Sequence, residues 1–91
     1  MVMDNYRIVI IKSAQKDKNK IKSVPALKRN VEKLLEVLKK NPYQNPPSYE
    51  KLIGLPNMYS RRINRQHRLV YQVFEEEKTV KIISMWTHYE F

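Results

Sequence analysis

Residues 59–71 read Tyr-Ser-Arg-Arg-Ile-Asn-Arg-Gln-His-Arg-Leu-Val-Tyr, a stretch in which four arginines fall within eight positions. Aromatic and β-branched residues dominate it, and no helical stripe of apolar residues runs through it, which favours β-strands. Toward its end the side chains alternate, so that Leu69 and Tyr71 fall on one face of the strand and Arg68 on the other. The stretch therefore predicts two strands joined by a tight connection, with guanidinium groups projecting from a sheet.

The sequence on either side of this stretch predicts one α+β domain over residues 1–91. Ser23 is expected to cap the second helix, with Pro25 in its first turn. The order β-αα-β-β-β predicts two N-terminal helices packed on one face of a small antiparallel-rich sheet. We predict strands at 6–11, 58–63, 67–74 and 79–87, a lysine-rich helix at 13–22, and a second helix that Asn41-Pro42 ends. Its apolar stripe is Leu27, Val31, Leu34, Leu35 and Leu38.

The composition favours a polyanionic partner. Lysine and arginine total 18 residues against 9 acidic residues, which gives a net charge of +9. RNA, DNA or an acidic protein fits this excess better than a lipid surface, because the one amphipathic helix has no aromatic-rich face. The sequence has no cysteine, which excludes disulfides and thiolate metal sites. It has neither a signal-peptide profile nor an apolar run of about 20 residues, so we expect a cytoplasmic protein without a membrane partner.

Four motifs lie in and around the Arg-rich stretch: Tyr49-Glu50-Lys51-Leu52, Ser60-Arg61-Arg62-Ile63, His67-Arg68-Leu69-Val70-Tyr71 and His88-Tyr89. Together they resemble one protein family. They are similar to the YoeB/Txe toxins, the ribosome-dependent mRNA endonucleases of the RelE superfamily. The resemblance implies a RelE-like fold, cleavage of mRNA in the ribosomal A site, and an acidic YefM/Axe-like antitoxin whose disordered segment wraps the basic groove. It also allows a homodimer.

These motifs supply one candidate for each role in the cleavage of RNA by its own 2′-hydroxyl. Glu50 is the candidate base, and Arg62 and Arg68 would clamp the scissile phosphate, because a guanidinium fork matches a pair of phosphate oxygens. His88 suits the general acid because imidazole titrates near neutral pH. Tyr89 would orient the phosphate or stack on a base. The resemblance implies the same roles for these residues.

Neither a metal nor a cofactor is expected. The two histidines lie on different predicted strands, and the acidic residues form no ligand cluster beyond the turn-like Glu75-Glu76-Glu77. The predicted products are accordingly those of metal-free transesterification, a 2′,3′-cyclic phosphate and a 5′-hydroxyl.

Arg61, Arg65 and Lys51 are the remaining candidates for RNA binding. Arg61 points away from Arg62 on the strand, and we expect it to meet a partner, the ribosome or solvent. Arg65 lies in the connection between the two strands. His67 is next to Arg68 in sequence but faces the opposite way, so we interpret it as structural.

Two other functions remain open on the sequence. A ParE-like poison of DNA gyrase would keep the fold, but it needs no acid–base set, and Glu50, Arg68 and the His88-Tyr89 pair argue against it. A non-enzymatic basic module that binds RNA or the ribosome would use the same positive strand face. Only an assay separates that module from a nuclease.

Overall fold

A computed structural model describes residues 5–86, which form two helices and five strands. Their order confirms the predicted β-αα-β-β-β arrangement, with one short strand added before the Arg-rich strand pair. The added strand has two residues, too few for an alternating pattern to reveal it. The elements are β1 (Arg7–Ile10), α1 (Lys12–Lys22), α2 (Pro25–Lys40), β2 (Glu50–Lys51), β3 (Met58–Arg62), β4 (Arg68–Phe74) and β5 (Thr79–Ser84).

All five strands belong to one sheet with the order β1-β5-β4-β3-β2. β1 runs parallel to β5, and the other neighbours are antiparallel, which confirms the predicted antiparallel-rich sheet. The last strand therefore joins the first strand to the antiparallel part of the sheet. β2 lies at the edge and pairs with β3 alone, through Glu50 and Lys51.

The helices and one face of the sheet enclose the hydrophobic core. Leu69, Tyr71 and Val73 of β4 and Val80 and Ile82 of β5 alternate onto the face that packs in the core with the helices, and all five are buried. Val70 and Thr79, which lie on the opposite face, are buried as well. α2 shows the predicted stripe, in which Leu35 is only partly buried. Neither of the two helices within residues 5–86 has the length and apolar character needed to cross a membrane. The core includes Leu27, Val31, Leu34, Leu38, Leu69, Tyr71, Val73, Val80 and Ile82.

The prediction that Ser23 caps α2 is wrong. Its backbone continues the last turn of α1, with φ −83° and ψ 0°, and its hydroxyl donates to the carbonyl oxygen of Lys20 at 2.8 Å. An N-cap residue needs an extended backbone, which Val24 adopts without any side-chain cap. Pro25 occupies the first turn as predicted.

A carboxylate on α1 holds the chain beyond β5. Asp17 Oδ2 accepts hydrogen bonds from the backbone N–H of Met85 at 3.0 Å and of Trp86 at 3.3 Å. Met85 is fully buried, so its N–H needs a partner within the protein. Asp17 therefore fixes the last part of the chain that the structure describes.

Asp17→Ala should lower the free energy of unfolding by about 1–3 kcal/mol, the usual cost of leaving a buried donor without a partner. Asp17→Asn keeps an acceptor oxygen and should recover most of this loss. Urea unfolding followed by far-UV circular dichroism measures both variants. An Asp17→Ala protein as stable as the wild type would contradict the role given to this carboxylate.

The loop between α2 and β2, residues 41–49, is anchored to the hairpin between β4 and β5. The Tyr43 hydroxyl donates to Glu75 Oε2 at 2.7 Å, and the Tyr6 hydroxyl donates to the same oxygen at 2.9 Å. The hydrogen bond from Tyr43, followed by that from Tyr6, lowers the pKa of Glu75. Burial, followed by the hydrogen bond to Glu75, raises the pKa of Tyr43. At neutral pH the Glu75 carboxylate is therefore ionised and the Tyr43 hydroxyl is protonated, so the hydrogen bond between them is kept.

Candidate active site

One open cleft on the sheet brings three of the predicted catalytic residues together. Glu50 lies opposite Ser60 in the strand register, and Arg62 lies opposite Arg68. Directly opposed residues share a face, and Ser60 and Arg62 are two positions apart on β3, so all four side chains lie on the face away from the core. The cleft has a volume of about 230 Å³ and is lined by Ser48, Tyr49, Glu50, Ser60, Arg62 and Arg68.

Glu50 and Arg68 form an ion pair in which Oε1 and Nη1 are 3.7 Å apart. The Glu50 side chain is 71% exposed and that of Arg68 is 20% exposed. A pair this open is worth at most about 1 kcal/mol, because water screens it. The carboxylate is therefore close to the guanidinium and still accessible to a substrate.

Arg62 lies between two clefts. It lines the cleft with Arg68 and also a neighbouring one that Asn30 and Lys33 of α2 border. Like charges directly opposite each other on adjacent strands are destabilising, and Arg62 and Arg68 are such a pair. Glu50 can offset only one of these charges, so the cleft has an excess of positive charge that favours an anion such as a phosphate.

Arg61 is not available to RNA, and the prediction that it meets a partner, the ribosome or solvent is wrong. It is 1% exposed and lies opposite Leu69, on the core face of the sheet. Its Nε donates to the Tyr71 hydroxyl at 3.1 Å, Nη1 to the Pro47 carbonyl, and Nη2 to two further carbonyls, those of Pro42 and Gln44. The alternation along β3 separates Arg61 from Arg62 as predicted, but the loop of residues 41–49 covers the side to which Arg61 points.

The other two RNA-binding candidates are exposed. Lys51 follows Glu50 on the edge strand β2, and Arg65 lies in the connection between β3 and β4. His67 is buried and its ring stacks on Trp86 at a centroid distance of 4.2 Å, which agrees with its interpretation as structural. The predicted acid His88 and the predicted orienting residue Tyr89 lie outside the described residues.

The cleft also contains Ser60 and Tyr49, for which no role was predicted. Ser60 is 2% exposed and lies between Glu50 and Val70 in the strand register. The Tyr49 ring packs edge-on against Tyr59 at a centroid distance of 5.7 Å. The alternation that pairs Ser60 with Arg62 on one face could have indicated the first of these. Within residues 5–86, His, Asp and Glu side chains nowhere form a group of three or more that could hold a metal ion.

Solved structures of toxins and of toxin–antitoxin complexes are similar to this chain. The YoeB–YefM complex from Staphylococcus aureus contains a chain with 30% identity and a TM-score of 0.78, covering 94% of this chain and 100% of that one. The YoeB/ParE toxin from Agrobacterium tumefaciens has 25% identity and a TM-score of 0.83, with coverage of 91% and 99%. The intact E. coli RelBE toxin–antitoxin complex gives 26% identity and a TM-score of 0.77, with coverage of 93% and 99%.

Residues 12–89 match the YoeB-like toxins of bacterial type II toxin–antitoxin systems. This match spans most of the sequence, and the chain belongs to that family. It confirms the resemblance that the motifs indicate. No curated protein matches the sequence at a significant level.

Proposed function

We propose that this toxin inhibits translation by cutting mRNA in the ribosomal A site, without a metal ion. The observation that carries the proposal is the cleft in which Glu50 lies 3.7 Å from Arg68, with Arg62 directly across from Arg68. A carboxylate that is 71% exposed can accept a proton from a bound substrate. Two guanidinium groups on adjacent strands match the charge of a phosphate.

The reaction that these groups support is an in-line transesterification. Glu50 takes the proton of the 2′-hydroxyl, and the 2′-oxygen forms a bond to the adjacent phosphorus. The bond from phosphorus to the 5′-oxygen breaks, and His88 gives a proton to that leaving oxygen. The products are a 2′,3′-cyclic phosphate and a 5′-hydroxyl, and Tyr89 orients the phosphate during the step.

Arg62 and Arg68 would supply most of the stabilisation of the transition state. The phosphorane carries more negative charge than the phosphate diester, so positive groups fixed in advance bind it more tightly than the substrate. Both arginines project from hydrogen-bonded strands rather than from a loop. Their backbones therefore need little rearrangement when the charge develops.

The ribosome would present the mRNA to a cleft that is too small to enclose it. A volume of about 230 Å³ accommodates little more than the reacting phosphate and its neighbours. Lys51 and Arg65, which are exposed outside the cleft, would bind RNA there, since such cations attract phosphates without reading sequence. The net charge of +9 favours the same encounter.

The proposed protein partner is a cognate acidic antitoxin of the YefM/Axe type. The similar chain from Staphylococcus aureus forms a complex with YefM. A disordered acidic segment can neutralise a basic cleft and fold as it binds. A homodimer is a second proposed assembly, and it would cover apolar surface such as Ile53, whose side chain is 98% exposed.

A ParE-like gyrase poison is the second candidate function, because the similar Agrobacterium toxin carries both names. That activity requires no base, phosphate clamp and acid. The juxtaposition of Glu50 with Arg68 therefore favours the nuclease.

The proposal is tested by primer extension on mRNA from cells that express the protein. Wild-type protein should generate new 5′ ends within translated regions, and Glu50→Gln, which removes the base but keeps the shape, should not. A parallel measurement of plasmid supercoiling separates the two functions. Growth arrest with intact mRNA and altered supercoiling would contradict the nuclease and favour the gyrase poison. Growth arrest without mRNA cleavage and without altered supercoiling would favour a module that only binds ribosomes.

A further inference from the structure

Arg61 is a buried cation that has no carboxylate partner within residues 5–86. Among residues 5–86 it is the only lysine or arginine that is buried, and no Asp or Glu in that part of the chain forms an ion pair with it. Charged side chains are almost never fully buried unless they are paired, because removal from water is costly. The fold tolerates this cost because the guanidinium makes four hydrogen bonds to neutral oxygens.

Three of those oxygens belong to one loop. The carbonyl oxygens of Pro42, Gln44 and Pro47 all accept hydrogen bonds from Arg61. The two hydrogen bonds that Nη2 donates, to Pro42 and Gln44, are both 2.9 Å long. The Tyr49 ring also lies over the guanidinium, 4.9 Å from its carbon atom. Arg61 thus contacts the loop at its start, at its middle and immediately before Glu50.

The loop needs this attachment because Glu50 has little else to hold it. β2 contains two residues and pairs with β3 alone. The ion pair of Glu50 with Arg68 is exposed and weak. The hydrogen bond to Glu75 is made by Tyr43, which lies seven positions before Glu50. Arg61 is therefore the polar contact that holds the end of the loop from which Glu50 projects, beside the packing of the Tyr49 ring against Tyr59.

Tyr71 completes the attachment from the neighbouring strand. Its hydroxyl accepts from Arg61 Nε and donates to the Pro42 carbonyl at 3.0 Å. Burial raises the pKa of Tyr71 to about 12, and the charge of Arg61 offsets only part of that effect. The hydroxyl therefore keeps the proton that it donates to the loop.

We infer that Arg61 is a positioning residue that sets the place of Glu50 relative to the phosphate-binding arginines, an inference that rests on the proposed function. Arg61 and Arg62 are consecutive on β3 and point to opposite faces. Strand β3 therefore carries Arg62, one of the two arginines that would bind the phosphate, and also holds Glu50 in place through the contacts of Arg61 with the loop. Arg61 does not touch the substrate, and it acts through the loop on Glu50.

The first test measures the loop itself, by amide hydrogen exchange in Arg61→Lys. Lysine keeps the charge but has a single ammonium group, which cannot reach acceptors arranged around a planar fork. Exchange should accelerate in peptides that cover residues 42–52 and stay unchanged in β4. Arg29→Lys, a change at an exposed position of α2, is the matched control and should leave both regions as in the wild type. Unchanged exchange at 42–52 in Arg61→Lys would overturn the inference.

The second test measures single-turnover cleavage of ribosome-bound mRNA. Arg61→Lys should lower the rate at saturating ribosomes by about 10²-fold, the cost of moving a catalytic group by 1 Å, while the half-saturating ribosome concentration stays the same. In a Glu50→Gln background the same change should lower the residual rate no further, because the base through which Arg61 acts is already gone. An equal loss in both backgrounds would make Arg61 a general stabilising residue and overturn the inference.

Circular dichroism establishes first that Arg61→Lys folds. If it does not, Tyr71→Phe removes only the hydroxyl that joins Arg61 to Pro42, and the same two measurements are made on it, with a loss of about tenfold expected for this partial release. A wild-type protein that leaves ribosome-bound mRNA intact would overturn the proposed function and the catalytic half of this inference. Loop exchange in the variants would still decide whether Arg61 holds the loop.

Discussion

Arg68→Ala is expected to lower the rate of mRNA cleavage by about 10²–10³-fold, the usual loss when one preorganised group that stabilises a transition state is removed. Arg68 is the less exposed member of the pair with Glu50 and lies directly across from Arg62. Its removal leaves one guanidinium to face the phosphorane. Arg68→Lys should recover little, because an ammonium group cannot bind two phosphate oxygens side by side.

Single-turnover cleavage of ribosome-bound mRNA measures this effect, and antitoxin binding reports whether the variant is folded. The proposed antitoxin should still bind Arg68→Ala, because a segment that wraps the basic groove would contact more of the surface than this cleft. Arg29→Ala removes the same charge from an exposed position of α2 and should cleave at the wild-type rate. An Arg68→Ala protein that still arrests growth would favour the module that binds ribosomes without cutting RNA.

His88→Ala is expected to slow cleavage by about 10²–10⁴-fold, the range for the loss of one general acid. Ribosome binding should barely change, because the acid acts on the leaving oxygen and not on the docking surface. A substrate in which sulfur replaces the 5′-oxygen provides the sharper measurement. A thiol has a pKa of about 8.5, so the sulfur can leave as a thiolate without a donated proton.

The sulfur substrate should therefore be cleaved by His88→Ala almost as fast as by the wild type. Glu50→Gln is the matched control, because its defect lies in the attack of the 2′-hydroxyl and should persist with sulfur in the leaving position. A folded His88→Ala protein that cleaves the ordinary substrate normally would exclude His88 as the acid. An equal defect on both substrates would give His88 a different role.

The architecture was predictable because it follows from where apolar side chains must go. The alternation around Leu69 and the helical stripe through Leu34 each leave one face to bury, and the structure buries those faces together. The short strand β2 escaped prediction because two residues cannot show a period. The prediction that Ser23 caps α2 was wrong because the residue type does not show which of two adjoining helices its backbone continues.

The cleft was predictable in part. Glu50, Arg62 and Arg68 could be named from their motifs, but the distance between Glu50 and Arg68 depends on the register of β2 against β3, which the sequence does not encode in any local pattern. Arg61 was misjudged for a related reason. Alternation gives the face on which a side chain lies, but only the tertiary structure shows that a loop covers that face and supplies carbonyls to a buried guanidinium.

The most direct measurement of the central claim is an end analysis of RNA cut by the purified protein. Ribosomes carrying an mRNA in the A site are mixed with the protein, and the same mRNA is incubated with the protein alone. The account predicts cleavage that requires the ribosome and leaves a 2′,3′-cyclic phosphate on one fragment and a 5′-hydroxyl on the other. Intact mRNA on the ribosome, or fragments with a 3′-hydroxyl and a 5′-phosphate, would contradict it.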